Sequence, residues 1–177
     1  MLTSNTTYVH EIENALNYAY MSTFYIGSSQ QPMKLVLDTG SSLMWVQGDE
    51  CPASECSGES FDSSKSTTFT PSSTIEEIVY GMHVIRGYVV QDQVSWDLDQ
   101  QNLSISNMTF IDVYTADEID KLSSHGLVGL GPTSISGKYK TIIQEMYERG
   151  LIEKNMFSLH LKLQEHDSKI WLGGYDR

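Results

Sequence analysis

The amino-acid sequence predicts an all-β protein with one short helix. Residues 84–94 and 103–114 have the composition of two strands, and Gly87 in the first of them predicts a β-bulge or a close backbone approach. Apolar and polar side chains alternate strictly over residues 157–164, which is the period-two pattern of a half-buried strand. With 40% hydrophobic residues, the 177-residue chain suffices for one sizeable core.

The single helix is expected at residues 139–149. Ile142, Ile143, Met146 and Tyr147 form an apolar stripe at helical spacing there, and Gly150 stands where a helix commonly ends. Residues 57–74 are rich in Ser and Thr, and this composition fits a flexible linker or an ordered surface loop. The presence of Phe61 and Phe69 favours the ordered loop, since linkers seldom contain aromatic residues.

One carboxylate stands at the end of an apolar run, where it is costly to place without hydrogen bonds. Asp38 follows Leu-Val-Leu and precedes Thr39, Gly40 and Ser41, which supply hydroxyls and backbone N–H groups at short range. The triplet Asp-Thr-Gly occurs once in the sequence, and Asp-Ser-Gly does not occur. The sequence therefore predicts a turn built around Asp38.

This segment resembles the active-site loop of the pepsin-like aspartic proteases, and further motifs follow in the order found in their N-terminal lobe. The resemblance covers residues 18–176, with residues 1–17 poorly determined. It includes a close cysteine pair, the segments 61–62 and 66–69, a flap motif at 78–81, a glycine-rich strand at 126–131 and Leu-Gly-Gly at 172–174. The resemblance implies a single all-β domain over residues 1–177. Its expected fold is the N-terminal lobe of the pepsin-like acid protease, double-psi β-barrel-like, with one short helix.

The resemblance also implies a reaction and a role for each residue of the turn. In this family two aspartates share a proton and activate a water molecule against a peptide carbonyl, with no cofactor or metal. Asp38 would be one of them, Ser41 would donate a hydrogen bond that orients it, and Thr39 with Gly40 would contact the other lobe. The second carboxylate is expected from a missing C-terminal lobe or from a second copy of the chain. A non-catalytic lobe that binds a peptide or docks on a partner is the third hypothesis.

The resemblance further implies a flap over the bound peptide or protein substrate, formed by Tyr80, Gly81 and Met82. The Trp45 indole would donate a hydrogen bond to the Tyr80 hydroxyl. From the residues alone, each of these two side chains is instead typical of a buried core aromatic. Met82 and His83 depart from the family pattern, which usually continues with a hydroxyl residue and glycine. Flap geometry and substrate preference are therefore expected to differ from the family's.

The resemblance implies a pocket next to the scissile bond, lined by Val36, Ser124 and Leu127. Ser124 stands where the family often has a bulky apolar residue, so the pocket is expected either to be roomier or to be completed by Met82, Val36 and Leu127. His125 stands where the family often has aspartate. His83 and His125 are either surface histidines or groups that respond to pH near neutrality.

Cys51 and Cys56 are consistent with a small disulfide loop of an oxidising compartment or with two free thiols. The resemblance favours the disulfide, and two cysteines without a nearby second ligand pair make a zinc site less favoured. Sequons at Asn5, Asn102 and Asn107 favour a secretory route to the extracellular space or to an acidic lysosome-like or vacuole-like compartment. No basic-then-apolar signal layout begins the sequence.

The formal net charge of −12 argues against nucleic acid or an anionic membrane surface as a partner. It fits ordinary solubility or residence in an acidic lumen, where carboxylates partly protonate. No run of 18 apolar residues is present, so no membrane span is expected.

Overall fold

The computed structural model describes residues 7–56, 58–80, 83–96, 103–117, 124–135, 137–163 and 167–176. Ten strands of this part of the chain form one sheet, and one α-helix accompanies them, which confirms the predicted fold class. The strands are β1 (Tyr8–Ala15), β2 (Ala19–Ile26), β3 (Gln31–Asp38), β4 (Met44–Gln47), β5 (Ile75–Tyr80), β6 (His83–Ser95), β7 (Ser104–Ala116), β8 (Gly126–Gly129), β9 (Phe157–His160) and β10 (Ser168–Leu172). The helix is α1 (Ile142–Glu148).

The strand order is β5-β6-β7-β4-β8-β3-β2-β1-β10-β9. Two of the pairings are parallel, β3 with β8 and β4 with β7, and the other pairings between neighbours are antiparallel. Strand β8 lies between β3 and β4, although it follows both in sequence. The loop that joins β3 to β4 therefore passes over the end of β8, and that loop begins directly after Asp38.

Glycine is required in β8 because the neighbouring backbones approach closely. A Cβ atom on Gly126 would lie 2.2 Å from the Trp45 carbonyl oxygen, and Gly126 has a φ of 153°. A Cβ atom on Gly129 would lie 2.5 Å from the backbone nitrogen of Leu43. Distances this short are not tolerated, so these two glycines allow β8 to insert between β3 and β4.

The buried side chains form two clusters. The larger one lies between the sheet and α1 and includes Phe24, Leu35, Phe61 and Phe110, all with exposed fractions of 1% or less. Members of the smaller cluster share a position beneath the β5–β6 hairpin; they are Trp45, Cys56, Ile78, Ile85, Ile111, Val113 and Ala116. This smaller cluster joins the hairpin to the strand that follows the Asp38 loop.

The strands predicted at residues 84–94 and 103–114 are present as β6 and β7. Their register shifts between Arg86 and Gly87, which confirms the bulge predicted from Gly87. The strand predicted over residues 157–164 ends at His160 in the structure, and Gln164 lies outside the described residues. Strand β10 pairs with residues 157–160, and Leu161 and Leu163, which follow without a partner strand among the described residues, are exposed.

Helix α1 is shorter than predicted. The Thr141 side chain accepts a hydrogen bond from the Gln144 backbone N–H and caps the first turn, so residues 139 and 140 lie outside the helix. Gly150, with a φ of 70°, follows the last turn as predicted. Ile142, Ile143 and Met146 are buried, whereas Tyr147 is exposed and does not belong to the apolar stripe.

The described residues of the Ser- and Thr-rich segment 57–74 form an ordered loop, and the linker interpretation is wrong. Phe61 is fully buried and packs edge-on against Phe110. A short 3-10 turn, Ser63–Lys65, is capped by the Asp62 carboxylate, which accepts a hydrogen bond from the Ser64 backbone N–H. Burial of Phe61 and partial burial of Phe69 against the larger cluster hold the loop on the sheet.

Candidate active site

Asp38 is the last residue of β3 and lies where that strand meets β8. Its backbone carbonyl accepts a hydrogen bond from the Leu130 N–H at 2.7 Å, and its Oδ1 accepts one from the Gly40 N–H at 2.8 Å. The Asp38 side chain is half-buried, and Thr39 and Gly40 are exposed beside it. The turn therefore holds the Asp38 carboxylate in one orientation at the end of β3.

The predicted hydrogen bond from Ser41 to Asp38 is not formed. The Ser41 Oγ atom is buried and makes no hydrogen bond to Asp38; it interacts with the Tyr80 hydroxyl instead. The Gly40 N–H orients the Asp38 carboxylate, because an Asp side chain readily accepts a hydrogen bond from the backbone N–H two positions on.

Tyr80 and Trp45 lie next to this turn and contact each other as predicted. The Trp45 Nε1–H group donates a hydrogen bond to the Tyr80 hydroxyl at 3.3 Å, and Trp45 is 1% exposed. Burial raises the pKa of the Tyr80 hydroxyl, hydrogen bonds with Trp45 and Ser41 oppose the rise, and the Asp38 charge adds to it. The Tyr80 hydroxyl thus stays protonated across the acidic and neutral range.

Tyr80 ends β5 and pairs with His83, the first residue of β6. We call β5 with residues 83–88 of β6 the flap hairpin. The predicted flap residues Gly81 and Met82 lie outside the described residues. His83, which is described, is partly exposed at the start of β6.

The base of the flap hairpin is held by a contact that the sequence analysis missed. Glu76 lies on the same face of β5 as Ile78 and Tyr80, because side chains alternate along a strand. Its carboxylate accepts hydrogen bonds from the Lys138 Nζ at 2.7 and 3.0 Å and from the Tyr139 hydroxyl at 3.0 Å. The Lys138 hydrogen bond lowers the pKa of Glu76, with smaller contributions from the Tyr139 hydroxyl and the Lys138 charge, against burial. The hairpin is therefore tied to the segment that precedes α1.

We expect Glu76→Gln to loosen the flap hairpin. The substitution removes the charge that Lys138 pairs with, while an amide oxygen still accepts from Tyr139. Lys138 is 60% exposed, so solvent screens the pair and its loss costs about 1 kcal/mol. Amide hydrogen exchange in β5 should accelerate roughly fivefold.

Glu148→Gln is the matched control, because Glu148 also pairs with a lysine, Lys140, but this pair joins α1 to the residues just before it and not to β5. Its replacement should leave the exchange of β5 unchanged. Equal acceleration in the two variants would show that the contact to Lys138 does not restrain the hairpin.

Two of the three predicted pocket residues line one cavity. Val36 and Ser124 border a cavity of about 560 Å³ together with Tyr18 and Ala19 at the start of β2. Leu127 pairs with Val36 across β3 and β8 but packs against the smaller cluster instead. The Ser124 Oγ atom is buried and has no hydrogen-bond partner among the described residues.

His125 is partly buried and has a structural role. Its ring Nδ1 accepts a hydrogen bond from the Lys34 backbone N–H at 3.1 Å, and its backbone N–H donates to the Lys34 carbonyl at 2.8 Å. Burial lowers the pKa of His125; the Glu59 charge opposes this shift and the Lys34 charge adds to it. A neutral ring fits this position, because only a neutral imidazole has an accepting nitrogen.

Cys51 and Cys56 form a disulfide with a Cα–Cα distance of 5.9 Å, so the free-thiol alternative is wrong. Within the described ranges, no three His, Cys, Asp or Glu side chains are placed to hold a metal ion. No helix in the same ranges has the length and apolar character that crossing a membrane requires.

The fold and the site together define an acid-protease-like lobe, with one carboxylate on a turn and a tyrosine-bearing hairpin beside it. Comparison with known proteins agrees: the model of the family "eukaryotic aspartyl protease" matches residues 19–177, and the chain belongs to that family.

The chain is 35% identical to vacuolar protease A of Arthroderma otae over 94% of its length, which is 43% of that protein. It is 31% identical to chymosin of Callithrix jacchus over 93% of the chain, which is 43% of that protein. It is 28% identical to plasmepsin IV of Plasmodium falciparum over 94% of the chain, which is 37% of that protein. The chain thus spans about two fifths of the length of the curated relatives that it matches.

Proposed function

We propose that this chain is one catalytic lobe of an aspartic endopeptidase, and that Asp38 supplies one of its two catalytic carboxylates. The observation that carries the proposal is the placement of Asp38. Its Oδ1 is held by the Gly40 N–H, and the Tyr80 hydroxyl, fixed by Trp45, lies near enough for the Asp38 charge to affect its pKa. A structural aspartate would not need a protonated hydroxyl on a hairpin beside it.

In the proposed reaction, Asp38 and a second carboxylate hold a water molecule between them. Two carboxylates this close do not both ionise, so the pair shares one proton. The ionised member accepts a proton from the water as the water attacks the peptide carbonyl, and the protonated member donates to the carbonyl oxygen. The flap hairpin, with Tyr80 at its end, would cover the peptide and exclude bulk water.

The second carboxylate must come from a part of the protein outside this sequence or from a second copy. Thr39 and Gly40 are exposed beside Asp38, and a cavity of about 470 Å³ lined by Thr39, Leu130 and Phe157 adjoins the turn. These surfaces support contact with another lobe on that side. The relatives, of which this chain spans about two fifths, favour a second lobe within one longer polypeptide.

We further propose that Val36 and Ser124 contribute to the pocket beside the scissile bond, and that the substrate is a peptide or protein with apolar side chains there. The disulfide supports a secretory route, and a relative named for the vacuole supports an acidic vacuole-like compartment. Partial protonation in such a lumen would also ease the repulsion within a chain of charge −12.

The test is the cleavage of an apolar-centred peptide by the native gene product between about pH 3 and about pH 7, over a series of protein concentrations. A rate proportional to concentration, in a product that contains a second Asp-[Ser or Thr]-Gly, is the expected result. A rate that rises faster than linearly would assign the second carboxylate to another copy of the chain. Peptide binding without turnover at any of these pH values would overturn the proposal in favour of a non-catalytic lobe.

A further inference from the structure

Asn107 lies at a β-bulge in the middle of a long strand pair. Asp92 of β6 pairs with Met108, and Val94 pairs with Ile105, so Ser106 and Asn107 of β7 together face Gln93. Two residues opposite one is the pattern of a bulge, which bends the strand outward. Asn107 has a φ of 56°, a left-handed conformation that asparagine tolerates better than most residues.

The bulge presents the Asn107 side chain to solvent. Ser106 and Asn107 are both exposed, whereas Met108 is 1% exposed and anchors the strand on the core. The Asn107 carboxamide makes no hydrogen bond to any described residue. The third residue of the motif, Thr109, is partly exposed, and its hydroxyl accepts a hydrogen bond from the Gln91 Nε2 at 3.1 Å. The folded chain therefore leaves room for a bulky group on Asn107.

A second observation places the chain in the compartment where such a group is added. The Cys51–Cys56 disulfide persists in oxidising compartments, and Asn-x-Thr sequons are modified along the same route. Asn107-Met108-Thr109 is the sequon whose three residues are all described, since Asn5 and Asn102 lie outside the described residues. The exposure of Asn107, its position in the bulge and the presence of the disulfide all favour modification of this residue.

We propose that Asn107 carries an N-linked oligosaccharide. The donor is a lipid-pyrophosphate-linked oligosaccharide. The amide nitrogen of Asn107 forms a bond to the anomeric carbon of the first sugar, the bond from that carbon to the phosphate oxygen breaks, the nitrogen loses one proton and the lipid pyrophosphate leaves. No oxidation or reduction occurs.

The oligosaccharide lies beyond the part of β7 that pairs with the flap hairpin. The pairing with the hairpin begins at Asp112, opposite Tyr88, and ends at Ala116, opposite Ile85. Five residues separate position 107 from position 112, which is about 17 Å along an extended strand. Close to Asn107, the Ser106 hydroxyl accepts a hydrogen bond from the Arg149 Nη1 just after α1. The sugar chain thus covers the end of the molecule near the last turn of α1 and leaves the flap hairpin open.

The experiment is peptide mapping by mass spectrometry of the protein from its own cells or from a eukaryotic secretory host, with and without peptide-N-glycosidase. In wild type we expect the peptide that contains Asn107 to appear only after enzyme treatment, with Asn107 converted to Asp. Thr109→Ser keeps both the sequon and the hydroxyl and should keep the modification. Thr109→Val, of equal size without the hydroxyl, should lose it, as should Asn107→Gln.

Asn5→Gln and Asn102→Gln are the position controls, and each should leave the Asn107 peptide modified. An unmodified Asn107 peptide in wild-type protein whose Cys51–Cys56 disulfide has formed would overturn the proposal. This result needs no variant to fold, and it is independent of whether the protein cleaves peptides.

Discussion

Asp38→Asn is expected to reduce peptide cleavage by roughly 10²–10⁴-fold or more, while the fold is retained. The amide oxygen of Asn can still accept the hydrogen bond that the Gly40 N–H donates at 2.8 Å, so the turn keeps its shape. An amide cannot take a proton from the attacking water, so the reaction loses its base. The measurement is the cleavage rate of the native protein and of the variant, with circular dichroism to verify folding.

Asp62→Asn is a matched control for this prediction. Asp62 also accepts a hydrogen bond from the backbone N–H two residues on, that of Ser64, at 3.1 Å, but it lies at a surface turn. Its replacement should leave the cleavage rate unchanged. If both variants lose activity equally, Asp38 acts only as a turn residue, and the proposed catalytic role is wrong.

Asp112→Asn is expected to remove a large part of the pH dependence of stability. Asp112 borders a cavity of about 240 Å³ together with Asp49, Glu50, Tyr88 and Tyr114, and its Oδ1 is buried without a hydrogen-bond partner among the described residues. Burial, together with the smaller effects of the Asp49 and Glu50 charges, raises the pKa of Asp112 from 3.8 to about 7. The carboxyl group is thus protonated in the folded chain at acidic pH.

The sign of the effect follows from proton binding. Between about pH 4 and about pH 7 the folded state holds a proton on Asp112 that the unfolded state has released. The free energy of unfolding therefore falls as pH rises through this range, by an amount on the order of 2–4 kcal/mol. The contribution is favourable in an acidic lumen and is lost near neutrality.

Urea denaturation at a series of pH values between about 4 and about 8 measures this. The Asp112→Asn variant should be more stable than wild type at neutral pH and nearly equal to it at acidic pH. Glu55→Gln provides a control of opposite sign, because hydrogen bonds from the Thr115 hydroxyl and the Ala116 N–H lower the pKa of Glu55. An Asp112→Asn curve parallel to that of wild type would contradict the prediction.

The local parts of this fold are readable from sequence, because they depend on neighbouring residues. The bulge at Gly87, the helix stop at Gly150 and the hydroxyl-rich turn after Asp38 each require only a short segment. The strand predicted beyond His160 failed because alternation does not reveal where the partner strand ends. The place where two strands stop pairing depends on residues that are distant from each other in the sequence.

The less predictable features of the site depend on groups that meet only in the folded chain. Because side chains alternate along β5, the sequence indicates that Glu76 and Tyr80 lie on the same face of the strand. Nothing near Glu76 in the sequence indicates that Lys138 is its partner. The raised pKa of Asp112 results first from burial in the folded chain and then from the charges of Asp49 and Glu50, which precede it by about 60 residues. The hydrogen bond from Ser41 to Asp38 was inferred from resemblance alone, and in this structure the Gly40 N–H replaces it.

The sheet order also constrains when the chain can finish folding during its synthesis. Residues 8–12 of β1 pair with β10, and the outermost pair joins Tyr8 to Leu172. Strand β1 is thus made long before its partner β10, and until β10 has been made most of the β1 backbone has no ladder partner. Closing so long a loop is slow, because its entropy must be lost before the pairing contributes. The nascent chain therefore carries an open, association-prone edge until β10 is made and pairs with it.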